Sequence, residues 1–185
     1  MMADLPITLT RRPATLLEQA RWLTANRADA TAVILIEHEG ERRLTTRDFF
    51  EGAARFAGAL AACGVQPGDL VVLVLQHGEA VLNGFWGALL LGAVPSIFPF
   101  LTDKLDHERY FDSVRQLVDH SGVKVVIASP DLHAPLQQRL AGLPALAAVL
   151  NVDEVVGARH AVPLQEYLHR NPAQPDDTAF LQHSS

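Results

Sequence analysis

Two kinds of apolar pattern alternate along the chain. Short apolar runs predict buried strands near residues 70–75, 94–97, 124–128, 147–150 and 178–182. Between most of these runs, apolar residues recur every three to four positions, which predicts amphipathic helices. The run Leu70–Leu75 contains no polar position, as is typical of a central strand covered on both faces. Strands that alternate with helices predict βαβ units, and hence an α/β fold with a parallel, doubly wound sheet.

The segment before this series has a different pattern. Thr15–Asn26 has the spacing of an amphipathic helix, whose apolar stripe comprises Leu16, Leu17, Ala20 and Leu23. Ala32–Glu37 and Arg42–Thr45 flank a turn at Glu39–Gly40, which predicts a β-hairpin. We expect this N-terminal hairpin to pack beside the sheet.

Residues that favour helix ends predict where the longest helix begins and stops. Thr45 or Thr46 is predicted to cap its N-terminus, and Asp48 in the first turn suits the helix dipole. The helix should run to about Cys63 and end at Gly64, in the left-handed conformation that glycine adopts readily. Its predicted buried face comprises Phe49, Phe50, Ala53, Ala57, Leu60 and Ala61.

The second half of the chain repeats the pattern. Asp106 is predicted to cap a helix that reaches His120 and turns Tyr110 inward. Ser129 is predicted to cap the next helix, because Pro130 follows it at the first helical position. The stretch from Gly157 to Pro175 is polar and rich in turn residues, apart from a short helical piece near Leu164–His169.

Composition narrows the function classes. Of 185 residues, 49% are hydrophobic and the net charge is −6, which favours a globular protein and argues against a nucleic-acid partner. The single cysteine, Cys63, excludes an internal disulfide and is predicted to be a small buried residue. No pair of histidines has the His-x-x-x-His spacing, so no metal site is predicted.

Glycines and prolines interrupt the apolar stretch Ala80–Phe100, so we expect helix, turn and strand there and no membrane span. We therefore expect a cytoplasmic protein.

Candidate binding residues follow the predicted strands, because ligands of parallel sheets bind at the carboxyl ends of the strands. His77 follows one strand directly, and is interpreted either as a substrate contact or as a turn residue. Phe98 and Phe100 follow the next strand, and are either lipid-facing or part of the packing. His183 precedes the terminal pair Ser184–Ser185, and either orients a ligand or supports the loop.

Several segments together resemble the N-terminal part of the adenylate-forming enzymes. Leu44–Ala62 combines a Leu-Thr-Thr strand end with a long alanine-rich helix, and Gly64–Val72 reads Gly-Val-Gln-Pro-Gly-Asp-Leu-Val-Val. Leu91–Pro95 reads Leu-Gly-Ala-Val-Pro, and Thr178–Ser185 is similar to the lead-in to the family's Ser-Gly-Thr-Thr-Gly-x-x-Lys-Gly loop. The family includes acyl-CoA synthetases, fatty acyl-AMP ligases and the adenylation domains of peptide synthetases.

The resemblance implies the chemistry. A carboxylate attacks the α-phosphate of ATP with Mg²⁺, which gives an acyl-adenylate and pyrophosphate; the acyl group then passes to CoA or to the phosphopantetheine of an acyl carrier protein. Ser184 and Ser185 match the start of the phosphate-binding loop, where small hydroxyls and backbone N–H groups suit phosphate oxygens. The resemblance places the loop lysine, the metal-binding acid and the C-terminal lysine beyond Ser185, so no catalytic residue is assigned here.

We therefore expect an N-terminal fragment of the AMP-binding domain, inactive by itself, from an enzyme that activates a fatty or similarly apolar acid. Its expected parts are an α/β core at 15–156, a linker at 157–175 and a strand at 176–185 that enters the truncated phosphate loop. The exposed edge of that strand could pair two copies into a dimer. The alternative is a self-contained, non-catalytic α/β module that binds a nucleotide or a protein.

Overall fold

The computed structural model describes residues 13–37, 40–102, 105–157, 163–170 and 173–182. Its strands are β1 (Thr31–Glu37), β2 (Gly40–Thr45), β3 (Leu70–Val74), β4 (Val94–Ile97), β5 (Val125–Ala128), β6 (Ala148–Asn151) and β7 (Leu181–Gln182). Its helices are α1 (Leu16–Asn26), α2 (Thr46–Ala62), α3 (Glu79–Leu90), α4 (His107–Ser121), α5 (Pro130–Arg139), α6 (Val152–Gly157) and α7 (Leu164–Arg170).

Five strands form one parallel sheet, in the order β6-β5-β3-β4-β7. All five residues of β3, the strand at its centre, are buried, as their unbroken apolar run predicts. The strands β1 and β2 pair antiparallel and form a separate two-stranded sheet. The predicted α/β class, the parallel sheet and the N-terminal hairpin are thus confirmed.

Helices cover both faces of the sheet. Side chains of β3 point alternately to one face of the sheet and to the other, as successive residues of a strand do. Val72 packs in the cluster that contains Tyr110 and Val114 of α4 and residues of α5. Leu73 packs in the cluster that contains residues of α2, α3 and α6. The sheet is therefore doubly wound, as predicted.

A third apolar cluster joins the hairpin to the helical layer. It contains residues from α1, β2, α2, α3 and α7, and the rings of Phe49, Phe50 and Trp86 meet edge to face within it. Ring centroids of Phe50 and Trp86 lie 5.1 Å apart. The hairpin consequently packs on the outer side of α2, beside the sheet.

Glycines allow α2 and α3 to approach closely. A Cβ atom built on Gly87 would lie 2.5 Å from the Cβ of Phe56 and 2.8 Å from the carbonyl oxygen of Ala53. A Cβ on Gly52 would likewise lie 2.5 Å from the amide nitrogen of Asn83. Because the close contacts of Gly87 include backbone atoms, this position needs glycine to keep the present helix separation, whereas at Gly52 the overlap involves only the end of the Asn83 side chain.

Most predicted helix ends are confirmed. The hydroxyl oxygen of Thr45 accepts a hydrogen bond from the backbone N–H of Asp48, and the carboxylate of Asp106 accepts one from the N–H of Arg109. Gly64 follows α2 with φ of 76°, in the left-handed region. Ser129 is the N-cap residue of α5 and Pro130 follows it at the first helical position, as predicted, although the Ser129 side chain makes no capping hydrogen bond.

Three other details differ from the predictions. Leu16 is 41% exposed and Ala61 is exposed as well, since each lies at the margin of its helix's buried stripe. The strand predicted at Thr178–Gln182 begins later than expected, since β7 starts at Leu181, which pairs with Ser96 of β4. Helix α6 was not predicted; it starts directly after Asn151, whose side-chain oxygen accepts a hydrogen bond from the N–H of Asp153 at 3.0 Å.

The apolar stretch Ala80–Phe100 divides as its glycines and prolines predict. It contains most of α3, a turn at Gly92 and the strand β4. Within the described ranges, no helix is both long and apolar enough to cross a membrane.

The stretch 157–175 contains α7, which coincides with the predicted helical piece. Tyr167 and Leu168 of this helix are buried in the third cluster, against α1 and α2. The guanidinium of Arg21 on α1 donates a hydrogen bond to the carbonyl oxygen of Leu168. Side-chain packing and a polar contact therefore both attach α7 to the rest of the fold.

Candidate functional site at the carboxyl edge of the sheet

Three adjacent strands end side by side at the carboxyl edge. Because β3, β4 and β7 are neighbours and run in the same direction, the residues that follow β3 and β4 lie at the same edge as Gln182, the end of β7. Parallel sheets bind ligands at this edge. The candidate site is therefore defined by the loop Leu75–Gly78 after β3, the loop Phe98–Thr102 after β4, and the end of β7.

His77 lies exposed in the loop after β3, immediately before the N-terminus of α3. Gly78 is the N-cap of α3 and provides no side chain to the helix end. The structure thus places His77 at the ligand edge, as the sequence indicates. Its role as a substrate contact stays a prediction.

An ion-pair network ties the hairpin to this loop. Arg42 on β2 contacts the carboxylate of Glu79 at 2.7 Å and that of Glu37 at 3.1 Å, and these hydrogen bonds raise the pKa of Arg42. The second oxygen of Glu79 accepts a hydrogen bond from the amide of Asn83 at 3.3 Å. The contacts are at the surface, so each stabilises the fold by at most about 1 kcal/mol. Their position indicates that they orient the hairpin beside the His77 loop.

The loop after β4 contains both predicted phenylalanines. The backbone N–H of Phe98 donates to the carbonyl oxygen of Leu73 at 2.9 Å, which continues the sheet pairing by one residue. Phe98, Phe100 and Leu101 are partly buried and pack against the cluster on the α4 side of the sheet. The structure therefore places Phe98 and Phe100 together at the edge, partly turned into the core. Their contact with a substrate stays a prediction.

Tyr110 holds this loop from below, which the sequence did not indicate. Its hydroxyl donates a hydrogen bond to the carbonyl oxygen of Pro99 at 2.8 Å, and its ring meets that of Phe98 with centroids 5.6 Å apart. Burial raises the pKa of Tyr110; a backbone hydrogen bond from Leu101 opposes the rise, and the charge of Asp131 adds to it. The sequence predicted an inward-facing Tyr110, but its loop contact depends on tertiary structure.

Two serines near the carboxyl edge are buried. The hydroxyls of Ser96 in β4 and of Ser129 after β5 have no hydrogen-bond partner within the described part of the chain. Ser129 donates its backbone N–H to Val74 at 3.1 Å and lies on the side of β3 away from β4 and β7. Its backbone therefore pairs with the end of β3, next to the loop Leu75–Gly78.

The remaining predicted site residues, His183, Ser184 and Ser185, lie outside the described residues. The structure describes the strand that precedes them. Residues Leu181 and Gln182 pair in parallel with Ser96 and Ile97, so β7 ends beside the loop after β4.

A cleft of about 780 Å³ lies at the opposite edge of the sheet. Its walls include Gly68 and Leu70 at the start of β3, Val94 at the start of β4, and the segment 173–179. Amino ends of parallel strands are not where ligands of such sheets bind. Its size alone therefore does not make it the candidate site.

The described ranges contain no candidate metal site. No group of three or more histidine, cysteine, aspartate or glutamate side chains there could hold a metal ion. Burial raises the pKa of the Cys63 thiol, which disfavours the thiolate that would bind a metal or act as a nucleophile.

The parallel sheet, the helices on both faces and the three adjacent strand ends define an α/β protein of the doubly wound class, with its ligand edge at β3, β4 and β7. Residues 19–185 match the AMP-binding enzyme family, so the chain belongs to that family.

Two curated relatives are CoA ligases. A medium/long-chain-fatty-acid–CoA ligase of Mycobacterium tuberculosis is 29% identical over 146 residues, which cover 76% of this chain and 23% of that ligase. A 4-hydroxybenzoate–CoA/benzoate–CoA ligase of Rhodopseudomonas palustris is 30% identical over 154 residues, which cover 78% of this chain and 26% of that ligase. The chain thus spans about a quarter of the length of these relatives.

A solved structure has the same fold. The fatty acyl-adenylate ligase from L. pneumophila, in complex with acyl adenylate and pyrophosphate, aligns with 92% of this chain and 28% of its own, at a TM-score of 0.67 and 19% identity. This similarity supports the arrangement of strands and helices described above.

Proposed function

We propose that this chain contributes the first part of the domain that activates a carboxylic acid in an ATP-dependent acid–thiol ligase. The family match over residues 19–185 is the observation that carries the proposal. The neighbouring ends of β3, β4 and β7 support it, since they give one edge at which an acid and a nucleotide would meet.

The proposed reaction has two steps. A carboxylate oxygen bonds to the α-phosphorus of ATP while the bond from that phosphorus to the bridging oxygen breaks, and pyrophosphate leaves. A thiolate of CoA or of carrier-protein phosphopantetheine then bonds to the acyl carbon, and AMP leaves. In this proposal Ser184 and Ser185, with support from His183, hold the pyrophosphate end of ATP. His77, Phe98 and Phe100 contact the acid.

Mg²⁺ would neutralise phosphate charge in such a reaction. The described residues contain no cluster that fits a metal ion, so none of them is assigned to Mg²⁺. The contribution proposed for this chain is binding and orientation.

The proposed substrate is a fatty or similarly apolar acid. Phe98, Phe100 and Leu101 provide apolar surface beside the edge, and the similarity to a fatty-acid–CoA ligase points the same way. Similarity to a benzoate–CoA ligase makes aromatic acids the main rivals. Apolar pockets discriminate by about 1–3 kcal/mol per methylene group, so neighbouring chain lengths should also be accepted.

ATP–pyrophosphate exchange tests the activity. We expect the longest natural protein that carries this chain to exchange label with fatty acids at rates well above those with benzoate or amino acids. The 185 residues by themselves should give only background exchange, because the resemblance assigns the loop lysine and the metal-binding acid to no residue among them.

Exchange by the 185 residues alone would refute their inactivity. Amino acids as sole substrates would overturn the choice of acid, and ATP binding without exchange for any acid would favour the non-catalytic alternative.

The end of the described chain gives a second prediction, on amide exchange. We expect the amide of Leu181 to exchange at least 100-fold faster than that of Val72 at low concentration, because Leu181 begins the edge strand β7 whereas Val72 is buried in the central strand. Phe180 and Leu181 are 48% and 43% exposed. NMR exchange at several concentrations measures both amides.

If exchange of the Leu181 amide slows with rising protein concentration while exchange of the Val72 amide is unchanged, the result would support the proposed pairing of two copies at this edge. Equal protection of both amides in a monomer would contradict the prediction.

A further inference from the structure

We propose that Tyr110 is the positioning residue for the apolar loop Phe98–Thr102, and that its hydroxyl sets how this loop meets the acid. The inference rests on the proposed function, in which this loop contacts the acid. Tyr110 itself lies beneath the loop, in the core, so it would act through Pro99.

The backbone of this loop leaves the sheet at its first residue. The N–H of Phe98 still donates to Leu73 of β3, and after the loop the N–H of Leu105 donates to the carbonyl oxygen of Thr102 at 2.9 Å. Between these points, the hydroxyl of Tyr110 donates to the carbonyl oxygen of Pro99 at 2.8 Å. One buried side chain therefore satisfies a backbone carbonyl group in the middle of the loop.

Tyr110 can hold the loop because it is held firmly itself. It lies in the first part of α4, and its backbone N–H donates to the carbonyl oxygen of Asp106, the residue that caps this helix. Its ring contacts the rings of Phe98 and Phe111, with centroids 5.6 and 5.7 Å away, and the residue is 6% exposed. A buried ring with contacts on both sides has few alternative rotamers, so the position of its hydroxyl is well defined.

The raised pKa of Tyr110 keeps its hydroxyl protonated, and so able to donate, at neutral pH. Burial raises the pKa of Tyr110, and the nearby carboxylate of Asp131 acts in the same direction. The bond to Pro99 therefore does not depend on a protonation event. This distinguishes a fixed support from a pH-sensitive switch.

The substitution Tyr110→Phe separates this role from packing. Phenylalanine keeps the ring contacts with Phe98 and Phe111, but leaves the carbonyl of Pro99 without this donor. In the longest natural protein that carries the chain, we expect KM for the preferred acid to rise about tenfold, which corresponds to the loss of about one net hydrogen bond. KM for ATP and the maximal exchange rate should each change by less than about twofold, because the ATP phosphates are assigned to the end of β7.

Tyr167→Phe is the matched control, since it removes the same group from a buried tyrosine in the cluster of the hairpin and α7. We expect it to leave both KM values within about twofold. Equal changes in the two KM values for Tyr110→Phe, or an unchanged KM for the acid, would overturn the positioning role. Absence of exchange in the unsubstituted protein would overturn the proposed function, and with it the role in acid binding.

Amide exchange in the 185-residue chain tests the support independently of activity. Tyr110→Phe should accelerate exchange of the Phe98 amide about tenfold, because this amide bonds to Leu73 one residue before the Pro99 carbonyl that loses its donor. The amide of Val126, in a buried strand of the same cluster, should change by less than about twofold. Unchanged protection at Phe98 would show that the hydroxyl does not hold the loop.

Discussion

Alanine in place of Gly87 is expected to lower the free energy of unfolding by about 3 kcal/mol, as overpacking of a buried contact does. The added Cβ would lie 2.5 Å from the Cβ of Phe56, 2.8 Å from the carbonyl oxygen of Ala53 and 3.0 Å from the backbone nitrogen of Ala57. Two of these atoms belong to the backbone of α2. A side-chain rotation therefore cannot relieve the overlap, and the two helices must move apart.

Helix propensity alone predicts that Gly87→Ala raises the free energy of unfolding. The experiment therefore distinguishes the steric contact from helix propensity. Alanine is more favourable than glycine by about 1 kcal/mol inside a helix, so without the steric contact Gly87→Ala would stabilise the protein. Gly157→Ala is the control, because a Cβ at this exposed helical position meets no atom of the described residues within 4 Å. Urea unfolding followed by circular dichroism measures both variants. Stability equal to or above that of the original protein for Gly87→Ala would refute the close approach of α2 and α3.

The core of the fold could be predicted because its signals are local. The strands β3 and β5 are buried on both faces, so every position is apolar and the pattern itself shows the environment. Thr45 and Asp106 each lie directly before a helix and bond to an N–H three residues on, so the cap needs no distant partner. Information within a few residues was sufficient for these elements.

Other features depend on what the rest of the fold places nearby. Ala61 fits the apolar stripe of α2, but no neighbouring element covers it, so it is exposed. Helix α6 has six residues, too few for a clear helical period, and its start at Asn151 was the one local signal that could have indicated it. The close contact of Gly87 with Phe56 joins two helices that are far apart in sequence, and no periodicity shows it.

The candidate site likewise has some features that the sequence predicts and others that depend on tertiary structure. Its place at the carboxyl edge follows from the parallel sheet, and the positions of His77, Phe98 and Phe100 in the loops follow from the strand ends. Arg42 and Glu79 are 37 residues apart, and their ion pair exists only because the hairpin packs beside α3. The role of Tyr110 likewise arises when α4 lies under the loop of β4, since the sequence indicates only that the ring is buried.

Leu73→Ala is expected to lower the free energy of unfolding by about 3 to 4 kcal/mol, within the range for a fully buried leucine that leaves a cavity. Leu73 is completely buried in the central strand, and packs in the cluster with α2 and α3. Chemical denaturation of the single variant measures the loss.

Gly84 offers a way to refill part of that cavity. A Cβ at this position would lie 3.1 Å from one methyl carbon of Leu73 and 3.5 Å from the other, and 3.5 Å from the ring of Phe56. In the original protein Gly84→Ala therefore crowds the leucine. Once Leu73 is alanine, the crowding methyl groups are gone and the new methyl group occupies vacated space.

The two substitutions should consequently not be additive. We expect Gly84→Ala to be more favourable by about 1 to 2 kcal/mol in the Leu73→Ala background than in the original protein, a coupling typical of residues in contact. Gly157→Ala combined with Leu73→Ala provides the control and should be additive to within about 0.5 kcal/mol, because Gly157 lies in no such contact. A double-mutant cycle with four unfolding curves for each pair gives both values. Additivity of Leu73→Ala with Gly84→Ala would mean that α3 does not pack its glycine face against the central strand, and would contradict the arrangement on which the ligand edge depends.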